Sequence, residues 1–113
     1  MFFGDVKAAC PGTKVLTQPE ELLIYSHGCY PREYKWLLQG KYPYVTDGVL
    51  VPESEYEISK ILEFANTHTI GIIPYGGGSG IVGGSIPYNG EIIVDTKRLR
   101  SFSLNKVNAT AQG

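Results

Sequence analysis

The sequence predicts a small α/β (α+β) domain: a short, mostly parallel sheet built on a βαβ unit and flanked by helices. Three observations carry this expectation. Residues 48–75 read strand, helix, strand. A further apolar strand follows at residues 91–95. Between them lie six glycines in ten residues, Gly76-Gly77-Gly78-Ser79-Gly80-Ile81-Val82-Gly83-Gly84-Ser85, too many for a helix or strand interior.

In chain order, Thr17 and Glu20 have the spacing of a capping box with Pro19 in the first turn, so a short helix is expected over residues 17–26. Gly28 and Pro31 interrupt it. A second short helix is expected from Pro31 to Leu38, with Tyr34, Leu37 and Leu38 on one face and Gly40 as its stop. Residues 25–44 hold Tyr25, Tyr30, Trp36, Tyr42 and Tyr44, an aromatic density that reads as packing against a neighbouring region before ligand contact.

Asp47-Gly48 is a turn signal, and Val49-Leu50-Val51 reads as a buried strand ended by Pro52. Ser54 and Glu57 form a second capping box, and Ile58, Ile61, Leu62 and Ala65 follow at helical spacing. His68 falls in the last turn, where an imidazolium meets the negative end of the helix dipole. Gly71-Ile72-Ile73-Pro74-Tyr75 resumes as a strand, after a connection long enough for a parallel crossover. After the Tyr88-Asn89-Gly90 turn, residues 91–95 form another strand. Lys97, Arg98 and Arg100 then read as a solvated face, and the tail at 108–113 has strand-like residues without a visible partner.

Composition excludes several classes. The 113 residues, 42% of them hydrophobic, suffice for one thin core and argue against disorder. Ten Lys+Arg against eleven Asp+Glu give a net charge of −1, so there is no basic field for nucleic acid. Apolar runs of about four residues fall far short of the roughly 20 of a bilayer span, and no secretory apolar region follows Met1. Cys10 and Cys29 show no C-x-x-C or metal-type pairing with His27 or His68, which points to a reducing compartment, the cytoplasm by default, and to no metal site.

The chemistry lies in the glycine segment. Gly78-Ser79-Gly80-Ile81-Val82-Gly83 is a literal G-x-G-x-x-G after a strand, but no helix follows to receive a pyrophosphate on its N-terminus, so the Rossmann reading fails. The P-loop reading fails because no Gly-Lys-Ser or Gly-Lys-Thr ends the run. What remains is a strand-to-strand loop whose backbone N–H groups can converge on an anion such as a diphosphate, with Ser79 adding a hydroxyl. The plainer alternative is a tight or flexible loop without a ligand. Positive φ is expected at Gly77 and Gly78, where a β-branched residue would then be excluded.

Taken together, Pro52-x-Ser54-x-x-Glu57-Ile58, Ile73-Pro74-Tyr75-Gly76-Gly77-Gly78-Ser79-Gly80-x-x-Gly83-Gly84, Ile93-Val94-Asp95 with Arg98-Leu99, and Asn108-Ala109-Thr110-Ala111-Gln112-Gly113 resemble the FAD-binding domain of the vanillyl-alcohol oxidase and p-cresol methylhydroxylase family. The resemblance implies that FAD is the cofactor. It also implies that Pro74, Tyr75, Gly76, Gly77, Gly78, Ser79 and Gly80 wrap its pyrophosphate, and that Arg98 is a candidate for approaching a flavin phosphate. Ser26-His27-Gly28, residues 37–40 and residues 46–49 look most like the alkyldihydroxyacetonephosphate synthase branch, ahead of the D-lactate and glycolate dehydrogenase branch.

The resemblance further implies an incomplete domain: residues 1–46 as a helical and aromatic segment and 47–113 as the N-terminal part of an FAD-binding domain whose remainder is a partner. Catalytic residues would then lie outside this chain, and oligomerisation stays open. A non-enzymatic nucleotide-binding module is the alternative from another class.

Overall fold

The computed structural model describes residues 1–112. A four-stranded sheet is formed by β1 (Lys14–Leu16), β2 (Val49–Val51), β3 (Ile72–Tyr75) and β4 (Ile92–Asp95), in the spatial order β1-β2-β4-β3. β4 pairs in parallel with both β2 and β3, and β1 adds antiparallel to β2. The expected mostly parallel α/β sheet is therefore present. The two strands of the βαβ unit are not neighbours, because β4 inserts between them. β3 is left at the sheet edge, where Pro74, which has no N–H to donate, is tolerated.

Four helices accompany the sheet: α1 (Phe2–Ala9), α2 (Pro19–Tyr25), α3 (Pro31–Leu38) and α4 (Glu55–His68). Side chains alternate across a strand, and the core divides accordingly. On one face Leu50, Ile92 and Val94 pack with Phe2 and Val6 of α1 and with Ile61 and Ala65 of α4. On the other, Val49, Val51 and Ile93 pack with Leu16 and, more openly, with Leu22 and Tyr25 of α2. Covering both faces explains why all of β2 and the first three residues of β4 are apolar, as strands of parallel sheets are. Leu50, Ile61 and Ile93 are wholly buried, each worth about 2–5 kcal/mol against truncation to alanine.

The helix starts show where side-chain chemistry overrode pattern. α2 begins on Gln18, and Thr17 caps nothing; Pro19 at the first position sets the start instead. Ser54 caps α4 by accepting from the Glu57 N–H, but the Glu57 carboxylate reaches the Glu53 N–H (2.7 Å) and the Thr13 hydroxyl (2.7 Å), tying the helix start to the N-terminal segment. Leu62 of the expected stripe is exposed, as are Tyr34 and Leu38 of α3; the buried residue of α3 is Glu33.

α4 ends on Thr69 in the left-handed region (φ 55°), an uncommon conformation for a β-branched residue. His68 meets Asp5 of α1 at 2.7 Å, and this hydrogen bond holds the Asp5 carboxyl below its ordinary value. The tail does find a partner: β5 (Phe102–Leu104) and β6 (Ala109–Ala111) form an antiparallel hairpin.

Candidate functional site

The glycine loop leaves the C-terminal end of β3, and residues 96–98 leave the C-terminal end of the adjacent β4. Ligands of open α/β sheets gather at this edge. The strand ends are stitched together by Thr96, whose N–H (2.9 Å) and hydroxyl (3.3 Å) both donate to the Tyr75 carbonyl.

Beyond that point the backbone is polarised. The carbonyls are turned to the protein: Gly76 O accepts from Lys97 Nζ (3.2 Å), Gly78 O from the Cys29 thiol (3.6 Å), and Gly80 O from the Cys29 N–H (3.1 Å). The N–H groups of residues 76–85 make no hydrogen bond among the described residues. Main-chain donors are rarely left unused unless water or a ligand takes them.

Glycine is required at particular points of this run. Gly78 has φ +69°, and a Cβ there would collide with the Tyr75 hydroxyl and come within 2.7 Å of Tyr75 Cζ. Gly83 also lies at positive φ (+77°). Gly77 does not: its φ is ordinary and a Cβ would meet open space, which corrects the expectation of positive φ there. Gly76 and Gly80 are equally open, so the cradle has bare backbone on its outer side.

Pro74, Tyr75, Gly76, Gly77, Gly78, Ser79 and Gly80 are thus contiguous around the cradle, but its walls come from elsewhere. The connection between α2 and α3 lies behind the loop. Gly28 is close-packed there, and a Cβ on it would stand 3.3 Å from both Glu33 Oε1 and Ser85 Oγ and 3.4 Å from Gly80 O. Glu33 is 1% exposed; its Oε2 accepts from the Tyr30 N–H (3.0 Å), and its Oε1 has no partner among the described residues.

The aromatic segment grips both ends of the loop. The Tyr25 ring meets Tyr75 edge-on at 4.9 Å at the start, and Tyr44 meets Tyr88 at 4.8 Å at the finish, with Trp36 behind Tyr44. Arg32 stacks over Trp36 (4.7 Å) and donates to the Tyr88 hydroxyl (2.8 Å). The expectation that these aromatics pack holds for Tyr25, Trp36 and Tyr44, which pack near the ends of the loop, whereas Tyr30 and Tyr42 are exposed.

Under the start of the loop, Asp95 is 2% exposed and accepts from the Tyr25 hydroxyl (2.5 Å) and the Lys97 N–H (2.9 Å), with Lys97 Nζ at 2.7 Å. Burial alone would raise its pKa, but the hydrogen bonds from Lys97 and Tyr25 prevail and hold the carboxyl below its ordinary value. Burial, then the Asp95 carboxylate, push the Tyr25 phenol upward, and burial does the same to Tyr75.

Lys97 therefore lies against the start of the loop, where the sequence suggested only a solvated face. Arg98 is committed elsewhere: it pairs with Glu53 and points to the Gly12 carbonyl, not to the loop. His27 makes only a marginal contact with the Gly28 carbonyl (3.5 Å). A polar hollow of about 410 Å³ lined by Asp47, Gly71, Asn89 and Glu91 lies at the opposite ends of the strands and carries acidic groups, so it does not suit an anion. No cluster able to hold a metal occurs among the described residues, and no helix is long and apolar enough to cross a membrane.

A sheet covered on both faces, with a glycine loop at the carboxyl ends of its parallel strands, has the architecture of ligand-binding α/β domains. Residues 46–113 match the FAD binding domain family, and the chain belongs to that family, whose cofactor is FAD. Among curated proteins it is similar to a probable mitochondrial D-2-hydroxyglutarate dehydrogenase of Oryza sativa subsp. indica, 42% identical over 55 residues covering 49% of this chain and 10% of the relative. It is likewise similar to an alkyldihydroxyacetonephosphate synthase of Caenorhabditis elegans, 42% identical over 59 residues, 52% of this chain and 10% of the relative.

Two solved structures share the fold. An alkyldihydroxyacetonephosphate synthase superposes with a TM-score of 0.82 at 24% identity, over 91% of this chain and 20% of the other. A p-cresol methylhydroxylase does so with 0.70 at 17% identity, over 91% and 19%. The chain thus spans a tenth of the length of these curated relatives and about a fifth of these structures.

Proposed function

We propose that residues 47–113 supply the N-terminal part of an FAD-binding domain, that residues 1–46 brace it, and that Pro74, Tyr75, Gly76, Gly77, Gly78, Ser79 and Gly80 wrap the pyrophosphate of FAD. The observation that carries this reading is the polarised loop, its carbonyls engaged by Lys97 and Cys29 and its amides free. A diphosphate offers acceptors to those donors without needing a cation in the loop itself. FAD, once bound, supplies two-electron redox chemistry. The chain's own residues bind and orient it, and the residues that act on substrate belong to the remainder of a longer polypeptide.

That polypeptide is, on this reading, a flavoprotein related to alkyldihydroxyacetonephosphate synthase, supported by the C. elegans relative and the 0.82 superposition. The second reading, an FAD-linked 2-hydroxy acid dehydrogenase, is favoured by the D-2-hydroxyglutarate dehydrogenase of rice and the glycolate oxidase subunit of Bacillus subtilis. The unpaired thiols of Cys10 and Cys29 suit a reducing compartment such as the cytoplasm.

The test is an FAD titration of the full chain followed by quenching of flavin fluorescence. Saturable binding, competed by ADP, is expected; absence of binding by both FAD and ADP would remove the loop assignment. In the longer polypeptide, bleaching of bound flavin by a D-2-hydroxy acid would favour the dehydrogenase over the synthase reading.

A further inference from the structure

The loop contains no charged residue from Gly76 to Ser85, yet the fold brings one cation to its start. Lys97 Nζ stands 2.7 Å from Asp95 Oδ2 and 3.2 Å from Gly76 O, over the rings of Tyr75 (4.9 Å) and Tyr25 (5.2 Å). An ammonium has three N–H donors. Two are accounted for by Asp95 and Gly76, and the third has no partner among the described residues. The pair is also oriented: the Asp95 side chain is 2% exposed and the Lys97 side chain 50%, so the negative end is inside and the positive end is open to solvent at the start of the loop.

We infer that Lys97 is a cofactor-positioning residue whose remaining N–H donates to the diphosphate of the dinucleotide in the glycine loop, giving that loop its salt-sensitive grip. The inference rests on the loop assignment proposed above and adds to it a residue outside the glycine run. Asp95 and Tyr25 act through Lys97. The carboxylate fixes where the ammonium sits, and the phenol, bonded to the same carboxylate, keeps it from turning.

The experiment measures FAD and ADP affinity of the full chain against ionic strength for the native protein, Lys97→Met, Lys97→Gln and Lys97→Arg, with adenosine as the probe lacking a diphosphate. A charge-assisted hydrogen bond of this kind predicts about tenfold weaker FAD and ADP binding in Lys97→Met and Lys97→Gln at low salt. The difference should shrink as salt screens the native protein, Lys97→Arg should keep the native salt dependence, and adenosine affinity should not move. Native affinity and salt dependence in both neutral variants would overturn the inference while leaving the loop assignment intact. So would an equal loss at every ionic strength, which is the signature of a purely structural lysine. If the native chain binds neither FAD nor ADP, the loop assignment falls and this inference falls with it.

Discussion

Gly78→Ala, set against Gly77→Ala, separates a loop held in one conformation from one that is merely glycine-rich. At Gly78 two costs combine. The left-handed backbone (φ +69°) costs a non-glycine residue about 1–2 kcal/mol, and the new Cβ collides with the Tyr75 hydroxyl and crowds Tyr75 Cζ at 2.7 Å and Cε1 at 3.2 Å. The Tyr75 ring is itself packed edge-on against Tyr25, so it cannot retreat without breaking that contact. The exposed loop will move instead, which turns the cost into lost pre-organisation of its amides. A total of about 2–3 kcal/mol corresponds to roughly 30- to 150-fold weaker binding.

Gly77→Ala, with ordinary φ and open space around its Cβ, should change affinity less than about twofold. The assay is FAD titration by flavin fluorescence on both variants, with thermal melts to show that the chain remains folded. Adding Tyr75→Phe to Gly78→Ala should recover only the part due to the hydroxyl, leaving the backbone cost. Equal losses at both glycines, or no loss at Gly78, would refute the geometry on which the cradle rests.

Other predictions concern groups around the loop. Glu33→Gln replaces a buried carboxylate whose Oε1 is unpartnered with a neutral amide that is less costly to bury; the thermal midpoint should rise by several degrees, about 1–2 kcal/mol, and a fall would show that Glu33 is paired. The Tyr25 phenol is raised in the fold, so its contribution is complete below its unfolded value of 10 and lost as pH climbs above it; denaturation at alkaline pH should show a decline there that Tyr25→Phe lacks. Thr69→Gly relieves a left-handed β-branched residue at the end of α4 and should stabilise by about 1 kcal/mol in chemical denaturation, whereas a loss would place a favourable Thr69 contact above the strain.

What was legible in the sequence follows the range of the signal. The α4 stripe, the apolar β2 and β4 and the glycine run are patterns within single segments, and each element appeared where its period placed it. α1 was not legible: Phe2 and Val6 are its fully buried residues, with Phe3 partly buried beside them, and the partners that justify them, Ile61 and Ala65, lie about sixty residues away. β1 is three residues long and owes its strand state to Val49–Val51, and the tail's partner, β5, is equally short. Strand order escaped for a related reason. Parallel strands joined by a helix can be adjacent or can leave a gap, and only the later return of β4 fills it.

The site divides along the same line. Glycines announce a loop that needs bare backbone, but not which amides are free, because that depends on what captures the carbonyls. Cys29 lies 49 residues before Gly78, and Lys97 lies 21 residues after Gly76. One clue was available: Asp95 follows three apolar residues at the end of its strand, a position that favours burial, and a buried carboxylate needs a cation and donors close by. The basic residue two positions on was the nearest candidate. That reasoning selects Lys97 over Arg98 on geometry alone, since adjacent residues after a strand project in different directions, and Arg98 is directed to Glu53. A loop whose carbonyls are engaged by contacts from distant segments is thus a tertiary object, and substitutions at Cys29, Gly28 or Lys97 are expected to change its conformation as those in the glycines do.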